Sequence, residues 1–179
     1  DASTLGITNI SGLGLAGDVT FGTDYFPAGP KTFPGGITYR NVEVAEVLLG
    51  QGDDTFTIND TLETTAVHGG ITVVHGGGNT STTAGDTITV NATSSPLVVY
   101  GDTSQDGARY NGQSGVASSM GIAFDYAGND VIDARNATNS VTIYSGTGND
   151  TIYGSQEGDH LAGGSGNDEV HGQGGDDHI

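Results

Sequence analysis

The sequence predicts an all-β protein, a right-handed parallel β-solenoid (a β-helix) whose coils narrow toward the C-terminal end. Two repeats support this prediction: a nine-residue repeat over residues 145–179, and a longer repeat of strand, glycine turn, acid and strand over residues 42–144. Composition agrees with it, since 32 of the 179 residues are glycine, the residue that tight turns between short strands require. We therefore expect stacked coils that share one narrow core.

The nine-residue repeat places one acid and one apolar residue in each unit. Four units follow one another from residue 145, and the last is one residue short of complete. The acids recur every nine positions, at Asp150, Asp159, Asp168 and Asp177. An apolar residue follows each acid by two positions, at Ile152, Leu161, Val170 and Ile179. Each unit is thus predicted to be a glycine turn followed by a short strand that buries one side chain.

Two units make one coil of about eighteen residues with a turn on each side. Asp150 and Asp168 then fall on one side of the stack, and Asp159 and Asp177 on the other, with members of a pair about 4.8 Å apart. Two bare carboxylates at that distance repel by roughly 3–4 kcal/mol at an effective dielectric constant of about 20. No Lys or Arg follows Arg135, so an external cation is needed. Calcium suits such a site because it takes about 6–8 hard oxygen ligands in tolerant geometry.

These units resemble the RTX, or haemolysin-type, calcium-binding nonapeptide repeat, G-G-x-G-x-D-x-U-x. The resemblance implies a β-roll in which each calcium ion takes carbonyl oxygens and an aspartate from two stacked turns. One implied ligand set is Gly146, Gly148 and Asp150 with Gly163, Ser165 and Asp168. The other implied set is Ser155, Glu157 and Asp159 with Gly172, Gly174 and Asp177. The second unit departs from the pattern, because Ser155 and Glu157 occupy glycine positions.

Wider coils with the same pattern precede the nonapeptide units. Each has a Val/Ile/Leu strand, a glycine, a turn, an acid and a β-branched strand, which predicts one column of turns through Asp54, Asp86, Asp130, Asp150 and Asp168. Gly128 and Thr147 complete the candidate metal ligands of this column. Val141 stands where an acid is expected, so calcium should be absent or poorly held at that turn.

A further candidate calcium loop lies within an insertion at residues 102–124. Asp102, Ser104 and Asp106, followed by Gly107, match the first six positions of the D-x-D-x-D-G loop. Position twelve is Gln113, not the bidentate glutamate of that motif. A polar turn is the alternative interpretation of this segment.

Three regions are predicted along the chain. Residues 1–41 contain short strands and a proline-rich loop at 25–36, and they are expected to cap the solenoid. Residues 42–144 form the wide, Thr-rich coils. Residues 145–179 form the β-roll, which is expected to be cut within a repeat of a longer chain.

Composition restricts the classes of partner. The net charge is −18 with only four Lys and Arg residues, which argues against nucleic acid, because phosphates require basic side chains. The sequence contains no cysteine and no apolar run of membrane length, so disulfides and membrane insertion are not expected. The sequence has few apolar residues and a high net charge, a composition close to that of disordered proteins. This favours a fold that depends on a bound metal.

The sequence therefore predicts a calcium-binding structural module of a large bacterial secreted or cell-surface protein. Several calcium ions would order it after export, by a type I secretion route as the family implies, and form a rigid rod. Expected partners are calcium and flanking modules or neighbouring copies placed end to end. A glycan- or surface-binding adhesin module is the alternative. An enzyme, or an accessory domain of one, is disfavoured because the basic residues are scattered and no zinc or nucleophile motif occurs. His160 and His178 are expected to stack and face solvent without binding a metal.

Overall fold

The computed structural model describes residues 2–5, 9–11, 19–21, 28–33, 37–38, 42–62, 70–103 and 126–179. These residues form strands, turns and bends. None of the described residues belongs to a helix long and apolar enough to cross a membrane.

The strands are two to seven residues long, as short coils require. In chain order they are β1 (Ala2–Leu5), β2 (Asn9–Ser11), β3 (Val19–Phe21), β4 (Lys31–Phe33), β5 (Ile37–Thr38), β6 (Val44–Leu48), β7 (Thr55–Ile58), β8 (Ile71–His75), β9 (Thr87–Val90), β10 (Leu97–Tyr100), β11 (Val131–Asp133), β12 (Val141–Thr147), β13 (Thr151–Tyr153), β14 (His160–Ser165) and β15 (Glu169–His171).

Two parallel sheets form the body of the molecule. Sheet I has the order β14-β12-β10-β8-β6, and sheet II begins β15-β13-β11-β9-β7. Successive strands from β6 onward alternate between the two sheets, and each pairs in parallel with the strand two places further along. The chain therefore winds as a coil, and the predicted all-β parallel solenoid is confirmed.

The N-terminal strands extend sheet II beyond β7. There β1 pairs in parallel with β7, and β2 and β5 continue the sheet in antiparallel orientation. A separate antiparallel pair joins β3 to β4. The prediction of a continuous loop at residues 25–36 is wrong for Lys31–Phe33, which form β4. Pro30 and Pro34 flank this strand and do not interrupt it, and proline is tolerated at such strand ends.

The shortest coils lie at the C-terminal end. Hydrogen-bonded aspartates on successive rungs are 32 residues apart at Asp54 and Asp86, and 44 apart at Asp86 and Asp130. The separation falls to 20 between Asp130 and Asp150 and to 18 between Asp150 and Asp168. Eighteen residues is two nonapeptide units, whereas the start of the β-roll at residue 145 stays a prediction.

The core lies between the two sheets, and each sheet contributes one layer of side chains to it. Alternate residues of β6, β7, β9, β10, β11 and β13 are buried, as in the exposed-buried pattern of β6. From sheet II the inward residues are Phe56, Ile88, Ile132 and Ile152, and from sheet I they are Val74, Val99, Ile143 and Leu161, all at most 1 % exposed. Burying each such side chain contributes roughly 1.5–3 kcal/mol. This column of apolar residues fixes the register, and the register in turn aligns the turns.

Candidate metal centre

Two columns of turns connect the sheets. We call the turns that lead from sheet I to sheet II the first corner; each ends in one of the acids Asp54, Asp86, Asp130, Asp150 and Asp168. The second corner comprises the turns that lead from sheet II back to sheet I, including residues 91–96, 134–140 and 154–159. In the narrow coils the first corner is built on glycines with positive φ, such as Gly146 at 110° and Gly164 at 95°. An L side chain rarely adopts this backbone conformation.

The first-corner acids form one hydrogen-bonded column. From Asp86 onward, Oδ1 of each aspartate accepts a hydrogen bond from the backbone N–H of the aspartate on the preceding rung. The N···O distances are 2.7 Å from Asp54 to Asp86, 2.8 Å from Asp86 to Asp130, 2.8 Å from Asp130 to Asp150 and 3.0 Å from Asp150 to Asp168. The structure thus brings together the five acids that the sequence placed in one column.

Burial makes the charge on these acids unfavourable. Asp86 and Asp130 are each 1 % exposed. Burial raises the pKa of Asp86 to about 7, although the hydrogen bond from the Asp54 N–H opposes the shift. Burial, together with repulsion from Asp86, Asp102 and Asp150, raises the pKa of Asp130 to about 9. A carboxyl in such a place is stable only when it holds a proton or lies beside a cation.

The second oxygen of these acids faces space that lacks a donor. Among the described residues, Oδ2 of Asp86 and of Asp130 is buried without a hydrogen-bond partner. Glycine allows the carboxylates to approach the backbone closely. At Gly76 the position that a Cβ would take lies 2.5 Å from Asp86 Oδ2, and at Gly163 it lies 2.5 Å from Asp168 Oδ2. Carboxylate and carbonyl oxygens are the ligands that calcium prefers.

In the narrow coils the second corner carries acids of the repeat as well. The Asp159 N–H donates to Asp177 Oδ1 at 2.9 Å, and the Val141 N–H donates to Asp159 Oδ1 at 2.8 Å. Val141 therefore occupies the aspartate position of this column, and its side chain is 2 % exposed. Ser155, in a glycine position, donates to Asp159 from its N–H at 2.5 Å and from its hydroxyl at 2.9 Å. The departure from the repeat pattern thus adds donors to the ligand aspartate, while Glu157 lies on the exposed surface.

The predicted carbonyl ligands are less regular than the acids. Gly146 pairs with Gly164, and Thr147 pairs with Ser165. The implied set that combines Gly146 and Gly148 with Gly163 and Ser165 is therefore offset by one position between its two turns. The Ser165 carbonyl also accepts a hydrogen bond from the Gly148 N–H at 2.9 Å.

The remaining predicted carbonyl ligands lie in the same turns as their acids. The Gly174 N–H donates to the carbonyl of Ser155 at 3.3 Å. Gly172 leaves open the space beside Asp177 Oδ2, and Gly128 lies against Gly148 on the next rung. Which of these carbonyls would bind an ion remains a prediction.

Asp102 lies in the first corner and is fully buried. Its Oδ2 accepts a hydrogen bond from the Thr147 N–H at 2.7 Å. It is therefore part of the coil stack and not of an exposed polar turn. Ser104 and Asp106, the other predicted ligands of the D-x-D-x-D-G loop, lie outside the described residues, and that loop remains a prediction.

An asparagine column beside the first corner was missed. The Asn149 N–H donates to Asn129 Oδ1 at 2.7 Å, and the Asn167 N–H donates to Asn149 Oδ1 at 2.9 Å. The signal was present, because Gly-Asn-Asp occurs at residues 128–130, 148–150 and 166–168. These amides hold successive turns in register next to the acids.

The histidines form ring stacks on the outer faces. His160 stacks on His178 with centroids 4.7 Å apart, and His75 stacks on Tyr100 at 4.8 Å. Within the described part of the chain, no three or more His, Asp or Glu side chains converge in a way that could hold a metal ion. An ion in the corners would therefore need backbone carbonyls as well as carboxylates, which suits calcium and not a transition metal.

Comparison with known proteins identifies the C-terminal repeat. No curated protein and no solved structure matches the chain. Residues 153–179 match the family model of the RTX calcium-binding nonapeptide repeat (4 copies). The matched segment includes Asp159, Asp168 and Asp177, whereas the wide coils lie outside it. Residues 153–179 are therefore RTX calcium-binding repeats, as their resemblance to that family predicts.

Proposed function

We propose that the chain is a calcium-dependent structural module, in which ions bound between stacked turns order the coils into a rigid rod. The observation that carries the proposal is the first-corner column. It buries aspartates whose Oδ1 atoms are hydrogen-bonded, while Oδ2 of Asp86 and of Asp130 is buried without a hydrogen-bond partner among the described residues. The match of residues 153–179 to RTX calcium-binding repeats supports calcium as the cation.

The charge balance supports the same proposal. A net charge of −18 disfavours a compact chain through self-repulsion, and four Lys and Arg residues cannot neutralise it. Arg135 is engaged by Asp133 at 2.6 Å on the outer face of sheet II. Because binding of a metal to ligands that exist only in the folded state adds directly to folding free energy, calcium would stabilise the coils.

We further propose that the module works outside a bacterial cell, in a secreted or cell-surface protein exported by a type I route. Extracellular calcium modules bind with dissociation constants of about 10⁻⁴–10⁻³ M, which suits ordering after export. Flanking modules, or neighbouring copies placed end to end, are the partners this role implies. The proposal assigns the chain no catalytic role.

The test is a calcium titration of the metal-free chain followed by far-UV circular dichroism. We expect little β-structure in chelator, a cooperative gain at about millimolar calcium, and a much smaller gain with magnesium, which resists dehydration and requires octahedral geometry. Equal spectra in calcium and in chelator would contradict the proposal. Equal gains with magnesium and calcium would show charge screening in place of a calcium site.

Glycan binding is a second candidate function, favoured by one feature. A cleft of about 520 Å³ on the outer face of sheet I is lined by Ser94, Pro96, Asn139, Ser140 and Thr142, among others. Hydroxyl and amide groups in a cleft are suited to sugar hydroxyls. The Tyr100 and Tyr144 rings on this face stack on each other, with centroids 5.4 Å apart, so their faces are not presented to a sugar. A glycan array probed with the calcium-loaded chain tests this candidate.

A further inference from the structure

Asp102 occupies a position at which the neighbouring rungs carry glycine. Tyr100 pairs with His75 on one side and with Tyr144 on the other, which places Asp102 level with Gly77 and Gly146. Backbone hydrogen bonds continue this alignment, from the Asp102 N–H to Ser145 O at 3.1 Å and from the Gly77 N–H to Asp102 O at 3.0 Å. The first corner therefore contains one carboxylate more than its column of aspartates explains.

The Asp102 carboxylate points into the stack. It is fully buried. Its Oδ2 accepts hydrogen bonds from Thr147, at 2.7 Å from the N–H and at 3.3 Å from the hydroxyl. The same oxygen lies against the place that a Cβ of Gly146 would fill. A side chain at Gly146 would therefore collide with this carboxylate.

Asp130 places a second carboxylate oxygen next to the same turn. Its Oδ2 is buried without a hydrogen-bond partner and lies against the position that a Cβ of Gly101 would take. The carbonyl oxygen of Ser145 lies 2.5 Å from that position. Asp102 is also close enough for its charge to contribute to the raised pKa of Asp130. The Asp130 carboxylate and the Ser145 carbonyl therefore meet beside Gly101, the residue that precedes Asp102.

We propose that Asp102 and Asp130, with the carbonyl oxygen of Ser145, bind one calcium ion in an enclosed site distinct from the repeat sites of residues 153–179. The proposal rests on the calcium dependence of the module proposed above. In a repeat site, equivalent aspartates of stacked units share an ion. In the proposed site, Asp102, which occupies a glycine position, would share the ion with Asp130 of the aspartate column.

The site would join two parts of the chain that are distant in sequence. Asp102 precedes and Asp130 follows residues 104–125, so one ion bound by both closes the base of that segment. The acids of this site are at most 1 % exposed, whereas Asp168 and Asp177 of the repeat segment are only half-buried. Buried charges are screened less by water and salt, so this ion should be held more tightly than the repeat ions.

Calorimetric calcium titration of Asp102→Asn and Asp102→Gly tests the site. Asn keeps an acceptor for the Thr147 N–H, and Gly restores the residue that neighbouring rungs carry, so both changes suit the fold. We expect each variant to bind one ion fewer than the unsubstituted chain and to lose its tightest binding phase, with the remaining phases changed less than about twofold. Asp133→Asn, the same charge change on the outer face, should lose no ion.

An unchanged ion count in both Asp102 variants overturns the enclosed site and leaves the proposed function intact. If the unsubstituted chain binds no calcium, the proposed function fails first.

A measurement without substitutions covers the case in which neither variant folds. Tyr100 and Tyr144 precede Gly101 and Ser145 in the chain, so they can sensitise terbium bound there. The first equivalent of terbium should keep fewer coordinated waters than later equivalents, so its decay rates in H₂O and D₂O should differ less than theirs. If the first ion is as hydrated as the later ones, the enclosed site is wrong.

Discussion

The two corners of the solenoid bury polar groups in different ways. In the wide coils, the second corner is built from hydroxyls that satisfy one another. Thr61 Oγ1 accepts from the Ser95 N–H at 2.7 Å and donates to the Ser95 carbonyl at 2.9 Å. Thr93 and Thr138 exchange similar bonds, with Thr138 Oγ1 donating to the Thr93 carbonyl at 3.0 Å. The first corner instead buries carboxylates, and among the described residues Oδ2 of Asp86 and of Asp130 has no hydrogen-bond partner.

This contrast locates the dependence on metal. A hydroxyl can donate and accept, so a pair of them closes a network without any ion. An ionised carboxylate only accepts, and a column of them repels itself. Asp60 shows that a second-corner acid can be satisfied internally, since it accepts from the Ser94 N–H at 2.7 Å and from the Ser94 hydroxyl at 2.8 Å. The hydrogen bonds of the wide second corner should therefore not depend on calcium, whereas the first corner should need the ion.

The largest expected effect is the pH dependence of the metal-free chain. The pKa values of Asp86 and Asp130 rise from 3.8 to about 7 and about 9 in the folded state. A raised folded pKa means that stability is fully present below the unfolded value and is lost as pH rises through the folded value. A difference of one pH unit between the folded and unfolded pKa values corresponds to about 1.4 kcal/mol of stability. In chelator, β-structure should therefore be greatest near about pH 4 and decline by about pH 9.

Thermal unfolding followed by circular dichroism in chelator, at intervals across that range, checks this prediction. Asp86→Asn is the control, because it removes the titration between 3.8 and about 7 and should flatten that part of the profile. Calcium should restore stability at the alkaline end. If the stability of the metal-free chain rises with pH, ionisation of the first-corner acids does not destabilise the fold, and the prediction is wrong.

The second expected effect belongs to the hydroxyl corner. Thr61→Val preserves the shape of a fully buried side chain but leaves the N–H and the carbonyl of Ser95 without their partner. Leaving buried polar groups unsatisfied costs about 1–3 kcal/mol each, so we expect a loss of roughly 2–3 kcal/mol. The loss should be the same at two calcium concentrations that both fold the chain. Chemical denaturation at each concentration measures it, and a loss that grows with calcium would remove the distinction between the corners.

The third expected effect concerns the narrow coils, where both corners carry acids. Asp168→Ala removes the acceptor of the Asp150 N–H and one predicted ligand, and it should cost about 1–3 kcal/mol and weaken calcium binding. Glu169→Ala is the matched control, since Glu169 is an adjacent exposed acid in β15 and its loss should cost under about 0.5 kcal/mol. Calorimetry on both variants decides the case. Equal loss of calcium in the two would indicate diffuse screening of an acidic surface.

The sequence predicts the first corner better than the second. The acids of the first corner stand at a fixed place relative to the strands, so the apolar period that sets the register also aligns Asp54, Asp86 and Asp130 across coils of unequal length. Thr and Ser occur throughout the chain, and nothing in their spacing distinguishes Thr61 and Ser95 from surface residues. Their bond joins residues 34 apart, which local patterns do not reveal.

Two other features depend on contacts that sequence spacing does not contain. Asp102 fits a loop motif in sequence, yet pairing of β10 with β12 sets it beside Thr147, 45 residues away. Lys31–Phe33 lies between prolines, yet an antiparallel partner at Val19–Phe21 makes it a strand. In both cases the long-range pairing outweighs the local signal.

The smallest expected effect is at the outer face beside the second corner. Arg135 donates to Asp133 from Nε at 2.9 Å and from the terminal guanidinium nitrogen at 2.6 Å, and it lies 4.6 Å from the centre of the Tyr153 ring. The hydrogen bonds from Arg135 lower the pKa of Asp133, so the stability they contribute is lost only as pH falls through that lowered value. Exposed ion pairs contribute about 0–1 kcal/mol and weaken with salt.

Asp133→Asn should therefore cost less than about 1 kcal/mol at low ionic strength and still less in concentrated salt, with no change in the calcium titration. Chemical denaturation at two salt concentrations measures the first part, and calorimetry the second. Asp133 is three residues from Asp130 but does not belong to the acid column. Its variant therefore tests whether an acid must belong to the column, and not only lie near it, to affect calcium binding. If Asp133→Asn weakens calcium binding, acids on the outer face also contribute to it. Calcium dependence is then not confined to the buried acids of the corners.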